Sequence, residues 1–572
     1  MAGCILKVSL GLFALLLSLS IGVYANDATS AAEQLRRIQQ EQQQRQQQQF
    51  ESDLKSAKPA PRMELAIPET IPLVEGEACQ QVESITVEGV TLFSEAAILK
   101  IINPYEGRCL GVNDIQNVMT EVTAKYLLAG YLTTRVYLAA QDLSSGVLQL
   151  LVLEGYLEGV QVDEVRPGSV ALYNVFPGKA GAPLNLRDIE QALENMNRLQ
   201  SNNATMTVAP GEAVGGSVVT FHNQASRAWR ASLSYDNSGV KSTGEEQAGL
   251  TVSADSPFLW NDFLSFTARQ TTPYDRNDIG SRLLSLSYSV PFGYSRLSFN
   301  AADSKYYSPL KLPSGLRQQS SGESNNASLR FDHTAFRDRD SRWDLAATLT
   351  GRQSKSYLEK QLIEVSSRRL TVLDIDSTYR FLVAGGAASV NLGYSKGLDA
   401  LGALDDPSGL PGFAPHAQFS KWRFGASYSR SFAFGTRVIA VSSQLMGQYA
   451  NDVLYGSEML LIGGLYTVRG FSENSLSGDN GYYLRNDLSM PMTLSVSNDW
   501  PLLIKPYVGL DYGRVKGRNS VAPKGDISGA AAGVTLASRG FNADVFAARA
   551  ISKPGSFNGE GILVSFRVGY TF

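Results

Sequence analysis

The chain has 572 residues, room for about four domains at ~150 residues each, with 52 glycines and only 18% charged residues against a typical ~25%. Its 51 Lys and Arg against 54 Asp and Glu leave a net charge of −3, so no global field draws in nucleic acid or an anionic surface. A mean hydropathy of −0.11 excludes a bundle of apolar membrane helices, each needing ~20 apolar residues, but not a β-barrel, whose apolar positions alternate. Three isolated histidines (His222, His333, His416), three cysteines and no phosphate-binding glycine loop leave no metal site, cofactor site or catalytic triad to assign, and the chain reads as a non-enzyme.

At the amino terminus Lys7 precedes an apolar stretch, Val8 to Val23, ending in Val23-Tyr24-Ala25. This predicts a signal peptide over 1–25, cleaved after Ala25; a single membrane anchor is the alternative, but the stretch is short for a span. Cleavage removes Cys4 and leaves Cys79 and Cys109 in an oxidising compartment, where an even pair reads as a disulfide and two buried free thiols are the competing reading. Residues 26–55 are rich in Gln, Glu and Arg, with Leu35, Ile38, Phe50 and Leu54 as the sizeable apolar residues of the helix-forming run Ala31 to Lys55. Low-complexity disorder and a polar helix lying in a wet cavity both fit that composition. Residues 56–78 carry Pro59, Pro61, Pro68 and Pro72, an extended tether reaching up to about 70 Å at ~3.1 Å per residue.

Two small α/β modules follow. In 79–154 a strand near Ile85–Val87 precedes a helix from about Ser94, then a helix with Ile115, Val118, Met119, Val122 and Tyr126 in phase, then strands near Thr134–Leu138 and Val147–Leu153. Residues 155–225 repeat the order: a strand at Leu157–Val162, a helix through Leu186, Ile189, Leu193 and Met196, and strands near Thr205–Val208 and Ser217–Phe221. From Cys79 to Asn223 there are 8 basic and 15 acidic residues, a net of −7, which disfavours nucleic acid. Small mixed sheets with open edges suit strand addition by an extended partner chain; ordinary structural domains are the plainer reading.

Over 226–572 the pattern becomes strands alone. Trp229, Ala231, Leu233 and Tyr235 alternate with Arg230, Ser232, Ser234 and Asp236, and the same period recurs at Leu284, Leu286, Tyr288, Val290 and at Trp422, Phe424, Ala426, Tyr428. A soluble β-sandwich shows such alternation too, but small and polar intervening residues behind a signal peptide fit lipid outside and water inside. In the last strand Ile562, Val564, Phe566, Val568, Tyr570 and Phe572 are apolar while Arg567 lies between them, so Arg567 must face the lumen. Counting ~20 to 22 residues per strand and connection gives about 16 antiparallel strands.

The run Leu461-Ile462-Gly463-Gly464-Leu465-Tyr466-Thr467-Val468-Arg469-Gly470-Phe471, followed by Leu476-Ser477-Gly478-Asp479, resembles the inward loop of two-partner (type Vb) secretion transporters, the TpsB or haemolysin-activator type of the Omp85 superfamily. Gly509-Leu510-Asp511-Tyr512-Gly513 is similar to the barrel-strand motif that pairs with the loop arginine. Leu186 to Leu199, with Pro210-Gly211-Glu212 and Gly215-Gly216-Ser217, resembles the second POTRA domain of such transporters, and Cys79 with Gly107-Arg108-Cys109-Leu110 the first; Gln200 stands where relatives often carry proline. The resemblance implies a membrane β-barrel preceded by two POTRA domains and a polar plug helix, in the outer membrane of a diderm bacterium with the POTRA domains in the periplasm. It implies that Val468, Arg469, Gly470 and Phe471 form a gating loop whose lumenal partners are Asp511, Gly509 and Gly513, and that Tyr570 and Phe572 form a terminal signal read by the barrel assembly machinery. The implied partners are a secreted TpsA-type exoprotein and outer-membrane lipids. An Omp85-type assembly factor, which shares the loop motif, is the alternative.

Overall fold

The computed structural model describes residues 70–71, 78–164, 169–275, 278–311, 317–472, 474–497, 500–518, 524–557 and 559–572. The expected signal peptide, the polar helix and nearly all of the proline-rich tether lie outside these residues. The first module is built from β1 (Gln80–Val82), β2 (Ser84–Glu88), α1 (Glu95–Ile102), β3 (Arg108–Leu110), α2 (Val112–Leu128), β4 (Arg135–Leu138) and β5 (Val147–Leu153). Strand β5 lies centrally, parallel to β2 and antiparallel to β4. Residues Val118, Val122 and Tyr126, spaced by one helical turn, bury one face of α2 against Ile98, Ile102, Leu148 and Leu150. Ser94 precedes α1 as expected, but its hydroxyl makes no capping hydrogen bond; at α2 the Gly111 amide donates to Asp114 Oδ2 at 3.0 Å instead. Glu154 gathers the Tyr126 hydroxyl at 2.7 Å and the Thr91 and Leu92 amides at 2.8 and 3.0 Å. Burial opposes its charge, and these donors outweigh burial and hold the carboxyl below its ordinary value.

The second module has the same plan: β6 (Tyr156–Glu164), α3 (Leu172–Val175), α4 (Leu186–Asn197), β7 (Ala204–Pro210) and β8 (Gly216–Asn223). Here β8 is central, parallel to β6 and antiparallel to β7. The short α3 is not legible from periodicity, because four residues are barely one turn. Asn185 caps α4 by accepting from the Arg187 amide at 2.8 Å, Ile189, Leu193 and Met196 fill the core, and Leu186 is buried as well.

The rest of the chain is a closed antiparallel barrel. Its first strands are β9 (Trp229–Asp236), β10 (Gln247–Asp255), β11 (Phe263–Thr271), β12 (Gly280–Phe292), β13 (Ser295–Lys311), β14 (Arg317–Arg337) and β15 (Ser341–Leu358), after which the short β16 (Gln361–Leu362) turns back and pairs with the end of β15. Next come β17 (Arg368–Val383), β18 (Gly386–Leu398), β19 (Ser420–Phe434) and β20 (Arg437–Ala450). An inward loop follows, carrying the two-stranded sheet of β21 (Leu460–Ile462) and β22 (Leu476–Gly478). Strand β23 (Asn480–Ser489) resumes the wall and is prolonged by β24 (Met492–Ser497) past Pro491, which has no amide hydrogen to donate. Then β25 (Trp500–Lys516), β26 (Lys524–Ser538), β27 (Phe541–Ser552) and β28 (Leu563–Thr571) close onto β9. With β16 counted with β17 and β24 with β23, the ring has sixteen strands. Lipid-facing residues such as Leu233, Leu250, Leu329, Leu392 and Val508 are exposed on its outside, while Arg567 points inward and donates from Nη2 to the Tyr466 hydroxyl at 2.9 Å.

The second module is seated on the barrel rim through polar contacts. Asn195 Nδ2 donates to the Gly293 carbonyl at 2.8 Å, the Tyr294 hydroxyl to Asp188 at 2.7 Å, and Arg198 to Ser289 Oγ and the Asn261 carbonyl, both at 2.7 Å. Glu194 receives Arg337 Nη1 at 2.7 Å together with Arg342.

Candidate functional site: the inward loop

The loop between β20 and β23 folds into the lumen and lies on the wall made by β23, β25 and β26. Its centre is Arg469, which is 0% exposed. The guanidinium makes a forked contact with Asp511 on β25, Nε to Oδ2 at 2.6 Å and Nη2 to Oδ1 at 2.7 Å, and the Arg469 amide also donates to Oδ2 at 3.0 Å. Its third nitrogen, Nη1, stands 2.7 Å from Asp487 Oδ1 on β23. Two acids thus flank one cation. In the wall register Asp487 is directly opposite Gly509, which leaves an open space between the strands for the guanidinium.

Glycines make this close seating possible. Gly470 has a φ of +96°, and a Cβ there would lie 2.4 Å from the Arg549 carbonyl carbon. A Cβ on Gly513 would stand 2.9 Å from Val468 Cγ2, and one on Gly529 of β26 only 1.8 Å from the Arg469 carbonyl oxygen. Val468 and Phe471 are buried with Ile462, Leu476, Val515, Ile527 and Phe557, the Phe471 and Phe557 rings meeting edge-on at 6.2 Å. Below the apex, Arg485 Nη1 donates to the Leu465 carbonyl at 2.9 Å; above it, Glu560 accepts from the Ser472 and Asn474 amides at 3.0 and 2.8 Å.

Val468, Arg469, Gly470, Phe471, Gly509, Asp511 and Gly513 therefore meet in one place. Asp487 and Gly529 belong to the same cluster and were not singled out from the sequence. The period-two reading of β23 puts Asp487 and Arg485 on the lumenal face, but nothing local says which strand β23 pairs with. The other expected site residues stand elsewhere. Cys79 and Cys109 are joined by a disulfide, with Cα atoms 5.3 Å apart, beside the β1–β3 pair of the first module. Tyr570 and Phe572 sit at the barrel seam with rings 4.8 Å apart, and the Phe572 amide donates to the Ala231 carbonyl at 2.8 Å. Among the described residues no group of three or more His, Cys, Asp or Glu is arranged to hold a metal.

Comparison with known proteins identifies the family. The model of the haemolysin secretion/activation protein family ShlB/FhaC/HecB matches residues 215–536, a ShlB-type POTRA domain matches 81–155, and a further POTRA domain matches 156–210. The hemolysin transporter protein ShlB of Serratia marcescens is 34% identical over 474 residues, covering 82% of each chain. The outer membrane transporter CdiB of Dickeya dadantii is 32% identical over 86% of this chain and 87% of its own. The solved structure of CdiB from Escherichia coli superposes with a TM-score of 0.83 at 30% identity, covering 96% of this chain and 98% of that one. The chain therefore belongs to the haemolysin secretion/activation protein family and is a two-partner secretion transporter of the bacterial outer membrane.

Proposed function

We propose that Arg469, held by Asp511 and Asp487, closes the lumen at rest, and that the loop yields when a secreted exoprotein arrives as an unfolded chain from the periplasm. The observation that carries this reading is a fully buried guanidinium that pins an inward-folded loop to the wall. Leaving either partner alone would strand a charge in a confined site, so the pair favours one seated position. The first POTRA module offers an edge for capture. Strand β4 ends the sheet, and its Tyr137 and Leu138 are exposed, with Leu151 beside Tyr137 on β5. An extended segment of the exoprotein adds there as a further strand, backbone bonding supplying affinity and the apolar side chains a preference. The chain then threads the barrel and folds outside, which biases movement without a nucleotide. No catalytic residue is assigned.

In this reading residues 1–25 direct export, 26–55 plug the lumen from a tether over 56–78, and 79–154, 155–225 and 226–572 form the two POTRA domains and the barrel. Tyr570 and Phe572 serve recognition by the barrel assembly machinery. The test is secretion of the cognate exoprotein by Arg469→Ala and Asp511→Ala transporters. Loss of secretion with normal heat-modifiable barrel mobility supports the gate; normal secretion by both variants sinks it. Mislocalisation of many outer-membrane barrels on deletion would favour an assembly factor instead.

A further inference from the structure

The inward loop is fixed a second time, at its β20 end. Glu458, in the single 3-10 turn Gly456–Glu458, is 4% exposed. Its carboxylate is shared by two cations on other strands: Arg352 Nη1 of β15 lies 2.6 Å from Oε1 and Lys421 Nζ of β19 lies 3.0 Å from Oε2. Lys421 is itself 6% exposed and also donates to the Glu458 carbonyl at 2.8 Å. Gln448 Nε2 ties the two ends of the loop, donating to the Glu458 carbonyl at 3.1 Å and to the Asp479 carbonyl at 3.0 Å. Around the sixteen-strand ring, β15 and β25 are six places apart and β19 and β25 three. The loop is thus held by acids on one sector of the wall and by cations on another, with β21 between them packed on β23 and β25.

The polarity is informative. At the Arg469 end the loop supplies the cation and the wall the acids; at the Glu458 end the loop supplies the acid and the wall the cations. A loop with one end released remains tethered by the other, and each buried cluster, once opened, exposes its charges to water that fills the lumen. We propose that Glu458 is a second latch of the inward loop, a positioning residue that acts with Arg352 and Lys421, so that the lumen clears fully only when both clusters release. This rests on the reading of the loop as the gate.

The experiment uses the full-length transporter in planar bilayers, with heat-modifiable mobility as the check on the barrel. Glu458→Gln is expected to leave mobility unchanged and to raise the open fraction of the channel roughly tenfold, the loss of about one charge-assisted hydrogen bond. Glu458→Asp, which keeps the carboxylate but shortens the side chain, is expected to leave conductance nearer the native level than the isosteric Glu458→Gln, the reverse of the order a merely packed side chain would give. Arg469→Ala, measured in parallel, reports on the first latch. If Arg469→Ala opens the channel and a folded Glu458→Gln does not, the second latch is refuted and the gate stands; if neither opens it, both readings fail. Loss of heat-modifiable mobility in Glu458→Gln, or a folded Glu458→Asp channel more open than Glu458→Gln, would make Glu458 a brace of the barrel and overturn the proposal.

Discussion

Gly509 and Arg469 compete for one volume: a Cβ on Gly509 would stand 2.1 Å from Arg469 Nη2 and 2.7 Å from Cζ. No rotamer of a fully buried guanidinium held by Asp511 gives that space back. Gly509→Ala is therefore expected to expel the arginine and reproduce the secretion defect of Arg469→Ala, with the barrel still heat-modifiable. Gly351→Ala on β15, where a Cβ would meet nothing within 4 Å, is the control and should secrete normally. Equal secretion by both glycine variants would contradict the seating described for the loop.

The two acids that flank Arg469 are expected to differ. The Asp511 side chain is 0% exposed and takes the forked contact, whereas the Asp487 side chain is 30% exposed and touches one nitrogen. Neutralising the buried partner should cost on the order of 3 kcal/mol of loop seating, and neutralising the half-wet one nearer 1. Channel conductance of Asp511→Asn and Asp487→Asn measures the difference, and the reverse order would show that the fork is not the dominant contact. Arg469→Lys, which keeps the charge but cannot bridge both carboxylate oxygens, should behave more like Arg469→Ala than like the native chain.

The Cys79–Cys109 bridge closes a loop of 30 residues around α1. By loop entropy this restricts the unfolded chain by roughly 3 to 4 kcal/mol. Replacing both cysteines by serine should make the first POTRA module the earliest site of limited proteolysis in the intact transporter, while the barrel band persists. Unchanged cleavage kinetics at that module would show that its apolar core suffices alone.

The seat of the second POTRA module on the barrel should respond to acid late. Burial opposes the charge of Glu194, but Arg342 and Arg337 outweigh it and hold its carboxyl below the ordinary value. A group depressed on folding stabilises at pH above its unfolded value and loses that contribution only as pH falls through its folded value. Protease access to the junction is therefore expected to stay flat from about pH 7 to pH 5 and to rise below about pH 4. A rise between pH 7 and pH 5 would show that another group governs the seat, and Glu194→Gln should loosen it at neutral pH.

The parts of this molecule that follow a period were legible before folding. Alternation in β9, β12, β19 and β28 reflects two different solvents on the two faces of one strand, and that contrast survives in any register. Helix α2 declared itself because Val118, Val122 and Tyr126 lie on one stripe. Arg469 and Asp511 were found together only through the family resemblance, since 42 residues separate them and spacing alone pairs nothing at that range. Asp487, Gly529 and Glu458 escaped because their meaning depends on which strands are neighbours across the lumen. The seat of the second module escaped for a similar reason: α4 shows a core stripe to the sequence, while Glu194 and Asn195 act from its other side.

The polar seat and the pinned loop stand on opposite sides of the ring. The POTRA contacts fall on the rim from β10 to β15, centred near β13, and the Arg469 cluster stands on β23 and β25, with β25 eight places from β13 in a ring of sixteen. The two sets of polar contacts thus face each other across a diameter of the ring, so a chain entering beside the POTRA seat would meet the Arg469 loop from the far side of the lumen.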